Sequence, residues 1–178
     1  LKRRLSVHGL KPTPRTHAAL AMALTTAGKP RLALSRLRAE MAQGAHIHTE
    51  EEDQRAWTAA YTALIRSWPS LSESWECLEE MQKNNIKRTA YTYAELLVAC
   101  RLRISRDAAA REFQVTRAWN AMRKDNIKPS VICYNAAISG YLAGDDFIPT
   151  PNAVSLALRL VMELGQERKD RIPVSTLN

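Results

Sequence analysis

Asn126-Ile127-Lys128-Pro129-Ser130 is the third copy of a five-residue pattern that begins with a small or turn-forming residue and ends with a hydroxyl. The earlier copies are Gly9-Leu10-Lys11-Pro12-Thr13 and Asn85-Ile86-Lys87-Arg88-Thr89. Two copies follow a methionine-bearing helical segment, and two precede a tyrosine-bearing segment. A pattern that recurs over a distance longer than one helix or strand indicates an array of similar units. The sequence therefore predicts a repeat protein.

The segments between these copies have the apolar spacing of helices. Trp57, Tyr61, Leu64 and Trp68 recur every three or four residues, and no segment shows a competing strand pattern. Short helices that are apolar on one broad face need neighbours to bury that face. We therefore predict an all-α fold in which antiparallel helix pairs stack into an α-solenoid.

Two helix starts carry recognisable capping residues. Thr13 is expected to cap a helix that has Pro14 at its first position. Ser70 and Glu73 have the spacing of a capping box at the start of another helix.

The same periodicity predicts core residues in the second half of the chain. We expect one helix to bury Phe113, Trp119 and Met122. We expect the last helix to bury its periodic apolar residues, which are Val154, Leu156, Leu158, Leu160 and Met162.

The repeated pattern also divides the chain, which we predict to be one repeat array over residues 1–178. Within it we expect the end of a preceding repeat, four repeats of which the last two contain insertions, and the start of a further repeat. The predicted boundaries are 1–13, 14–49, 50–89, 90–130, 131–174 and 175–178.

Charge is the main compositional clue to a ligand. The 178 residues include 26 Lys and Arg against 18 Asp and Glu, a formal net charge of +8. A basic excess favours a polyanionic partner, and nucleic acid is the most common one. The alternative is a charged surface that only keeps the protein in solution.

Several function classes lack their sequence signals. Cys77, Cys100 and Cys133 are widely spaced and form no CxxC pair, and the four histidines form no ligand set, so we expect no metal site and a reducing compartment. No run of about 18 apolar residues predicts a membrane span. Phosphate loops, nucleophile elbows and paired carboxylates are also missing. We expect no enzyme activity, no cofactor and no small-molecule substrate.

Val131-Ile132-Cys133-Tyr134-Asn135, together with the Lys-Pro endings, resembles the pentatricopeptide repeat family over essentially the whole chain. That family repeats about 35 residues as two antiparallel helices. The resemblance implies a right-handed superhelix, a location in mitochondria or chloroplasts, and binding of single-stranded RNA along the concave face. The tetratricopeptide repeat is the main competitor, but its Trp/Leu-Gly/Tyr signature is absent here and Lys-Pro endings are foreign to it.

The resemblance also implies which residues face RNA bases. In the family, the fifth residue of a repeat reaches the base edge, the last residue assists it, and the second packs on the base faces. The corresponding residues here are Ala18, Thr62, Ala94 and Asn135 at fifth positions, Thr89 and Ser130 at last positions, and Arg15, Ala59, Tyr91 and Ile132 at packing positions. Asn135 can donate to and accept from a base edge, whereas an alanine can do neither.

A second set of residues is basic and is expected to contact phosphates. The alternative for each residue is an ordinary solvated side chain. The candidates are Lys11, Lys87, Arg88, Arg101, Arg103, Arg106 and Lys128.

Three functions remain open at this point. The irregular base-reading positions favour a structural subunit of an organelle ribonucleoprotein, with the mitochondrial ribosome as the leading example, in contact with RNA and with other proteins. The first alternative is a stand-alone factor for RNA processing, stability or translation. A protein-only adaptor is the second alternative, and it would not require the basic excess. We expect the mitochondrial matrix as the location, with the chloroplast as the alternative.

Overall fold

The computed structural model of the chain describes residues 13–42, 51–104, 106–142 and 148–171, with side chains described as far as residue 167. These residues form eight α-helices and no strand, which confirms the predicted all-α fold. The handedness of the superhelix and the repeat boundaries remain predictions. The helices are α1 (Pro14–Thr26), α2 (Pro30–Ala42), α3 (Glu51–Ser67), α4 (Leu71–Lys83), α5 (Ala90–Arg103), α6 (Ala108–Lys124), α7 (Val131–Leu142) and α8 (Pro151–Arg171).

The capping residues at two helix starts behave differently. Thr13 caps α1 as predicted: its hydroxyl accepts a hydrogen bond from the Thr16 backbone N–H, and Pro14 occupies the first turn. The capping box predicted at Ser70 is wrong, because that side chain makes no capping bond. Its hydroxyl lies 2.7 Å from the hydroxyl of Ser72, which competes for the same oxygen.

The second and third copies of the five-residue pattern are helix-ending motifs, whereas most of the first copy lies outside the described residues. Asn85 has a φ of 52° and Asn126 a φ of 56°, in the left-handed region. After α4, the Ile86 N–H donates to the Met81 carbonyl at 2.8 Å and the Asn85 N–H donates to the Gln82 carbonyl at 3.2 Å. The corresponding bonds after α6 measure 3.1 and 2.9 Å. These pairs of bonds define a Schellman motif, which ends a helix sharply.

The chain divides into two compact units, Leu1–Thr92 and Tyr93–Asn178. In the first unit, α1 packs against both α2 and α3, and α3 packs against α4. Contact between α1 and α3 is what stacked pairs require, because the first helix of one pair must meet the first helix of the next. In the second unit, α7 packs against both α6 and α8.

The predicted core residues of α3 are confirmed. Trp57, Tyr61, Leu64 and Ile65 are 0% exposed, and Trp68 is also buried. Each large side chain buried in this way contributes roughly 1.5–3 kcal/mol relative to exposure.

Several core predictions in the second unit are wrong. Phe113, Val154, Leu158 and Met162 are exposed, whereas Trp119 is buried as expected. These predictions assigned the wrong face of each helix to the core. The α8 residues that are buried are spaced by four and three: Ala153, Ala157 and Leu160.

Phe113 shows the same error on α6. This helix buries Arg111 and Val115, and Phe113 lies midway between them in sequence. A residue two positions from each of two buried neighbours points to the opposite side of a helix.

Candidate nucleic-acid interface

The residues predicted at the four fifth positions are not equally accessible. Thr62 does not lie early in its helix as predicted, because α3 begins at Glu51. Ala18, Thr62 and Ala94 are 1, 3 and 2% exposed, respectively. Asn135 is exposed on the first turns of α7. Only Asn135 among these four therefore presents a polar side chain to solvent.

The Thr62 hydroxyl takes part in a hydrogen-bond network that links α3 to the start of α5. Its hydroxyl oxygen lies 3.0 Å from that of Thr92. The Thr92 hydroxyl also accepts from the Thr89 N–H at 3.2 Å, and the Thr89 hydroxyl accepts from the Thr92 N–H at 3.3 Å. Thr62 and Thr89, which were expected to face a base together, are instead joined through Thr92.

Thr92 could not be identified from sequence as part of this network. The pattern Thr89-x-x-Thr92 resembles a local cap, and the structure contains that cap. The partner across the helix pair, Thr62, lies 30 residues away, and nothing in the local pattern indicates that separation.

The segment that carries Lys87 is fixed by side chains of α3. The Gln54 amide donates to the Asn85 carbonyl at 3.1 Å, and its oxygen accepts from the Lys87 N–H at 3.1 Å. The Thr58 hydroxyl donates to the Lys87 carbonyl at 2.7 Å. The backbone of the connection between α4 and α5 is therefore held in place, while the Lys87 side chain is exposed.

An accessible surface lies at the start of α7. Ile132 is 57% exposed, and Asn135 lies three residues later, so both side chains are on one helical face. Lys128 is exposed in the connection that precedes this helix. Ser130 is half-buried, and its hydroxyl accepts from the Cys133 N–H at 3.4 Å. The structure thus brings an apolar, a polar and a cationic side chain to one helix start.

Two predicted packing positions in the first unit differ in their surroundings. Tyr91 is 51% exposed at the start of α5. Arg15 donates to Asp53 at 3.0 Å and also forms an ion pair with Glu52. The guanidinium of Arg15 is therefore engaged with α3.

The remaining phosphate candidates are spread over both units. Lys87, Lys128 and Arg106 are exposed, and Arg88, Arg101 and Arg103 are half-buried. Lys11 lies outside the described residues.

The described part of the chain lacks metal-binding and membrane-spanning features. The described residues contain no cluster of three or more side chains suited to a metal ion. None of the described helices has the length and apolar character needed to cross a membrane.

Comparison with known families adds one match. The pentatricopeptide repeat domain model matches residues 76–142. That stretch contains both Asn-Ile-Lys endings and the starts of α5 and α7, which carried the resemblance in the sequence. No curated protein matches the chain. The match indicates a helical-repeat protein of an RNA-binding type. The resemblance drawn from the sequence is therefore confirmed over residues 76–142.

Proposed function

We propose that the chain is an RNA-binding scaffold protein of an organelle ribonucleoprotein, without enzymatic activity of its own. The observation that carries this proposal is the burial of Ala18, Thr62 and Ala94, three of the four side chains expected at base-reading positions. Discrimination between bases requires exposed donors and acceptors at the base edge. A chain that presents such a group mainly at Asn135 is suited to holding RNA rather than selecting it.

RNA would contact the N-terminal turns of α5 and α7, which are the first helices of two predicted repeats. Asn135 offers an amide to a base edge, and Ile132 offers an apolar surface to a base face. Tyr91 offers an exposed ring at the start of α5. Lys87 and Lys128, in the connections that precede these helices, would contact phosphates.

The other predicted phosphate contacts remain part of the proposal. Half-buried arginines keep their charged end near the surface while the aliphatic stem packs, so partial burial is compatible with a phosphate contact. These residues are Arg88, Arg101 and Arg103, with Arg106 as an exposed member and Lys11 outside the described residues.

We further propose that the ribonucleoprotein is the mitochondrial ribosome, in the mitochondrial matrix. A stand-alone factor must find its transcript among many, which requires base discrimination along the array. A subunit assembled onto one large RNA does not, because its position is also fixed by neighbouring proteins. Few polar side chains are exposed at the predicted base-reading positions, and this supports a ribosomal subunit over a stand-alone factor.

Sedimentation of the tagged full-length protein from organelle extracts at moderate salt, with and without ribonuclease, tests this proposal. Stoichiometric migration with a ribosomal subunit and its rRNA is the expected result. Migration as a small particle that carries a few transcripts would overturn the ribosomal assignment in favour of a processing, stability or translation factor. Migration that ribonuclease leaves unchanged, with no crosslinked RNA, would favour a protein-only adaptor.

A further inference from the structure

The outer face of α6 carries an exposed aromatic ring among cations. Phe113, Arg117, Asn120 and Lys124 are all exposed and follow one another at intervals of four, three and four residues. Side chains at these intervals share one face of a helix. We call these four residues the α6 stripe. Phe113 is 65% exposed, which is unusual for a side chain of its size.

Several carboxylates near the α6 stripe are engaged within the protein. Asp107 accepts from the Ala110 N–H at 2.8 Å and so caps α6. Glu112 accepts from the side chains of Thr150 and Asn152, at the start of α8.

Two further carboxylates lie near the C-terminal half of α6. Glu163 forms an ion pair with Arg123, whose guanidinium lies 5.7 Å from the centre of the Trp119 ring. Asp125, just after the helix, accepts from the Tyr93 hydroxyl. Hydrogen bonding thus turns the negative groups toward structural partners, and the stripe itself contains no carboxylate.

A groove borders the stripe. Thr116, Asn120 and Arg123 of α6 line it together with Arg159 and Glu163 of α8, and its volume is about 110 Å³. Arg159 is exposed on the far wall, and Asn120 belongs to both the stripe and the groove. A ligand on the stripe would therefore find hydrogen-bonding groups next to Asn120.

The corresponding face of α4 has a different composition. A shift of 41 residues relates Met122 to Met81 and Asn126 to Asn85, and it relates Phe113 and Arg117 to Ser72 and Glu76 of α4. Asn120 corresponds to Glu79 by the same shift, and Glu76 and Glu79 are both exposed. The outer face of α4 is therefore acidic where the outer face of α6 is cationic and aromatic.

We propose that the α6 stripe and its groove form a second binding site for single-stranded RNA, separate from the start of α7. A base would stack on Phe113, and the guanidinium of Arg117, one turn away at about 6 Å, would contact the adjoining phosphate. Lys124 would contact a further phosphate, while Asn120 and Arg159 would hydrogen-bond to a sugar or a base edge. The inference rests on the proposed function, because it adds a second site for the RNA that the proposed function already assigns to the protein.

The chemistry of the stripe favours RNA over an acidic protein. A protein interface is built around a core of several contiguous large side chains. Phe113 is the one large apolar side chain of the stripe, and its companions are polar or cationic. A single exposed ring with cations at helical spacing suits one stacked base and its phosphates.

Binding of a fluorescently labelled oligouridylate, followed by anisotropy over a series of salt concentrations, tests this site in the full chain. We expect Phe113→Ala to weaken binding about fivefold or more, since the loss of one stacked base costs at least about that factor. Phe113→Leu should also weaken binding, because leucine keeps the apolar bulk and loses the ring. Arg117→Ala should lower the slope of log affinity against log salt by about 0.7, the value for one phosphate contact with a single strand.

Leu32 and Arg36 provide matched controls. They are also an exposed apolar residue and an exposed arginine four positions apart, on α2. Leu32→Ala and Arg36→Ala should leave the affinity and the salt dependence unchanged. Circular dichroism should show the same helix content in all variants, because every substituted side chain is exposed.

The outcomes separate this inference from the proposed function. Weakening by Asn135→Ala together with wild-type affinity in the Phe113 variants would overturn the second site and leave the proposed function intact. Equal effects of Leu32→Ala and Phe113→Ala would also overturn it. No binding of the oligouridylate by the wild-type chain would overturn the proposed function, and the second site with it. Polyglutamate has no bases to stack. If it displaces RNA equally well from the wild type and from Phe113→Ala, then the protein has a general affinity for acidic polymers, and the stacking site is overturned.

Discussion

Asn126 shows how one residue decides where a repeat ends. Its φ of 56° lies in a region that costs most L-residues about 1–2 kcal/mol, and asparagine is one of the few that tolerate it. Asn126 is exposed, so its backbone conformation rather than its packing explains its presence. Asn85 has the same role after α4.

Substitution of Asn126 should therefore separate conformation from side-chain chemistry. We expect Asn126→Ala to lower the free energy of unfolding by about 1 kcal/mol, because alanine resists positive φ. Asn126→Gly should match or slightly exceed the wild type, since glycine has no such penalty. Urea denaturation followed by circular dichroism measures both. Equal destabilisation by the two variants would show that the asparagine side chain, not φ, is important here.

Gly140 is a second residue with a clear structural reason for its identity, because there is no room for a Cβ atom at this position. A Cβ atom at this position would lie 2.8 Å from Cγ2 of Val115, which is completely buried. The Gly140 carbonyl also accepts a hydrogen bond from Nε of Arg111 at 3.0 Å. The glycine thus lets α7 approach α6 closely and places a carbonyl against a buried guanidinium.

We expect Gly140→Ala to destabilise the protein, because adding a methyl group to a tightly packed contact usually costs about 1–3 kcal/mol. Alanine's higher helix propensity, worth about 1 kcal/mol, opposes this effect but is smaller. Val115→Ala in the same chain removes the atoms that clash. The double variant should therefore lose less stability than the sum of the two single variants, as measured in a double-mutant cycle. Strict additivity would contradict the clash.

At the level of elements, the connection between α4 and α5 depends on a helix that precedes it in the chain. Gln54 of α3 both donates to the Asn85 carbonyl and accepts from the Lys87 N–H. A single amide side chain therefore satisfies two backbone groups of the connection. This arrangement fixes the path of the chain between two helix pairs, and with it the place of Lys87.

Gln54→Leu should lower the free energy of unfolding by about 1–2 kcal/mol, because two hydrogen bonds worth about 1 kcal/mol each are lost. Gln54→Glu keeps the oxygen that accepts from Lys87 and loses the donor to Asn85. Hydrogen exchange of the Lys87 amide should consequently accelerate in Gln54→Leu and change little in Gln54→Glu. Equal protection of this amide in both variants would show that Gln54 does not hold the connection.

Elements also show how far the sequence determines the structure. The start of α1 at Thr13-Pro14 and the end of α6 at Asn126 were predictable, because local backbone geometry selects those residue types. The outward face of α8 was not predictable from the sequence, because apolar residues lie on more than one side of this helix. Which of them are buried depends on the neighbouring helices that α8 packs against. Thr62 was expected early in the first helix of its repeat but lies in the second half of α3, and its bond to Thr92 depends on packing between distant segments.

At the level of the whole molecule, each unit contains buried groups that resist ionisation. Burial raises the pKa of Cys77 to about 12 in the first unit, and burial also raises the pKa of Cys100 to about 12 in the second. Burial raises the pKa of Tyr61, and the nearby Glu80, which accepts from its hydroxyl at 3.2 Å, adds to the rise. The pKa values of Tyr134 and Tyr141 are raised by burial as well.

These shifts predict the pH range in which the protein loses stability. The unfolded chain releases thiol protons from about pH 9 and phenol protons from about pH 10, whereas the folded chain keeps them to higher pH. Above pH 9 the unfolded state therefore binds fewer protons, and the free energy of unfolding falls as the pH rises. Each such group contributes a slope of up to about 1.4 kcal/mol per pH unit, and its contribution is complete below pH 9.

Denaturation at a series of pH values between about 8 and 12 measures this slope. Cys100→Ala should make the decline shallower by up to about 1.4 kcal/mol per pH unit, even if the cavity that it creates lowers stability at every pH. Leu78→Ala is the matched control, because it removes a buried side chain that does not ionise. Its curve should run parallel to that of the wild type at lower stability. If the Cys100→Ala curve is also parallel to the wild type, then the thiol ionises equally in the folded and unfolded chains, and burial does not hold its proton.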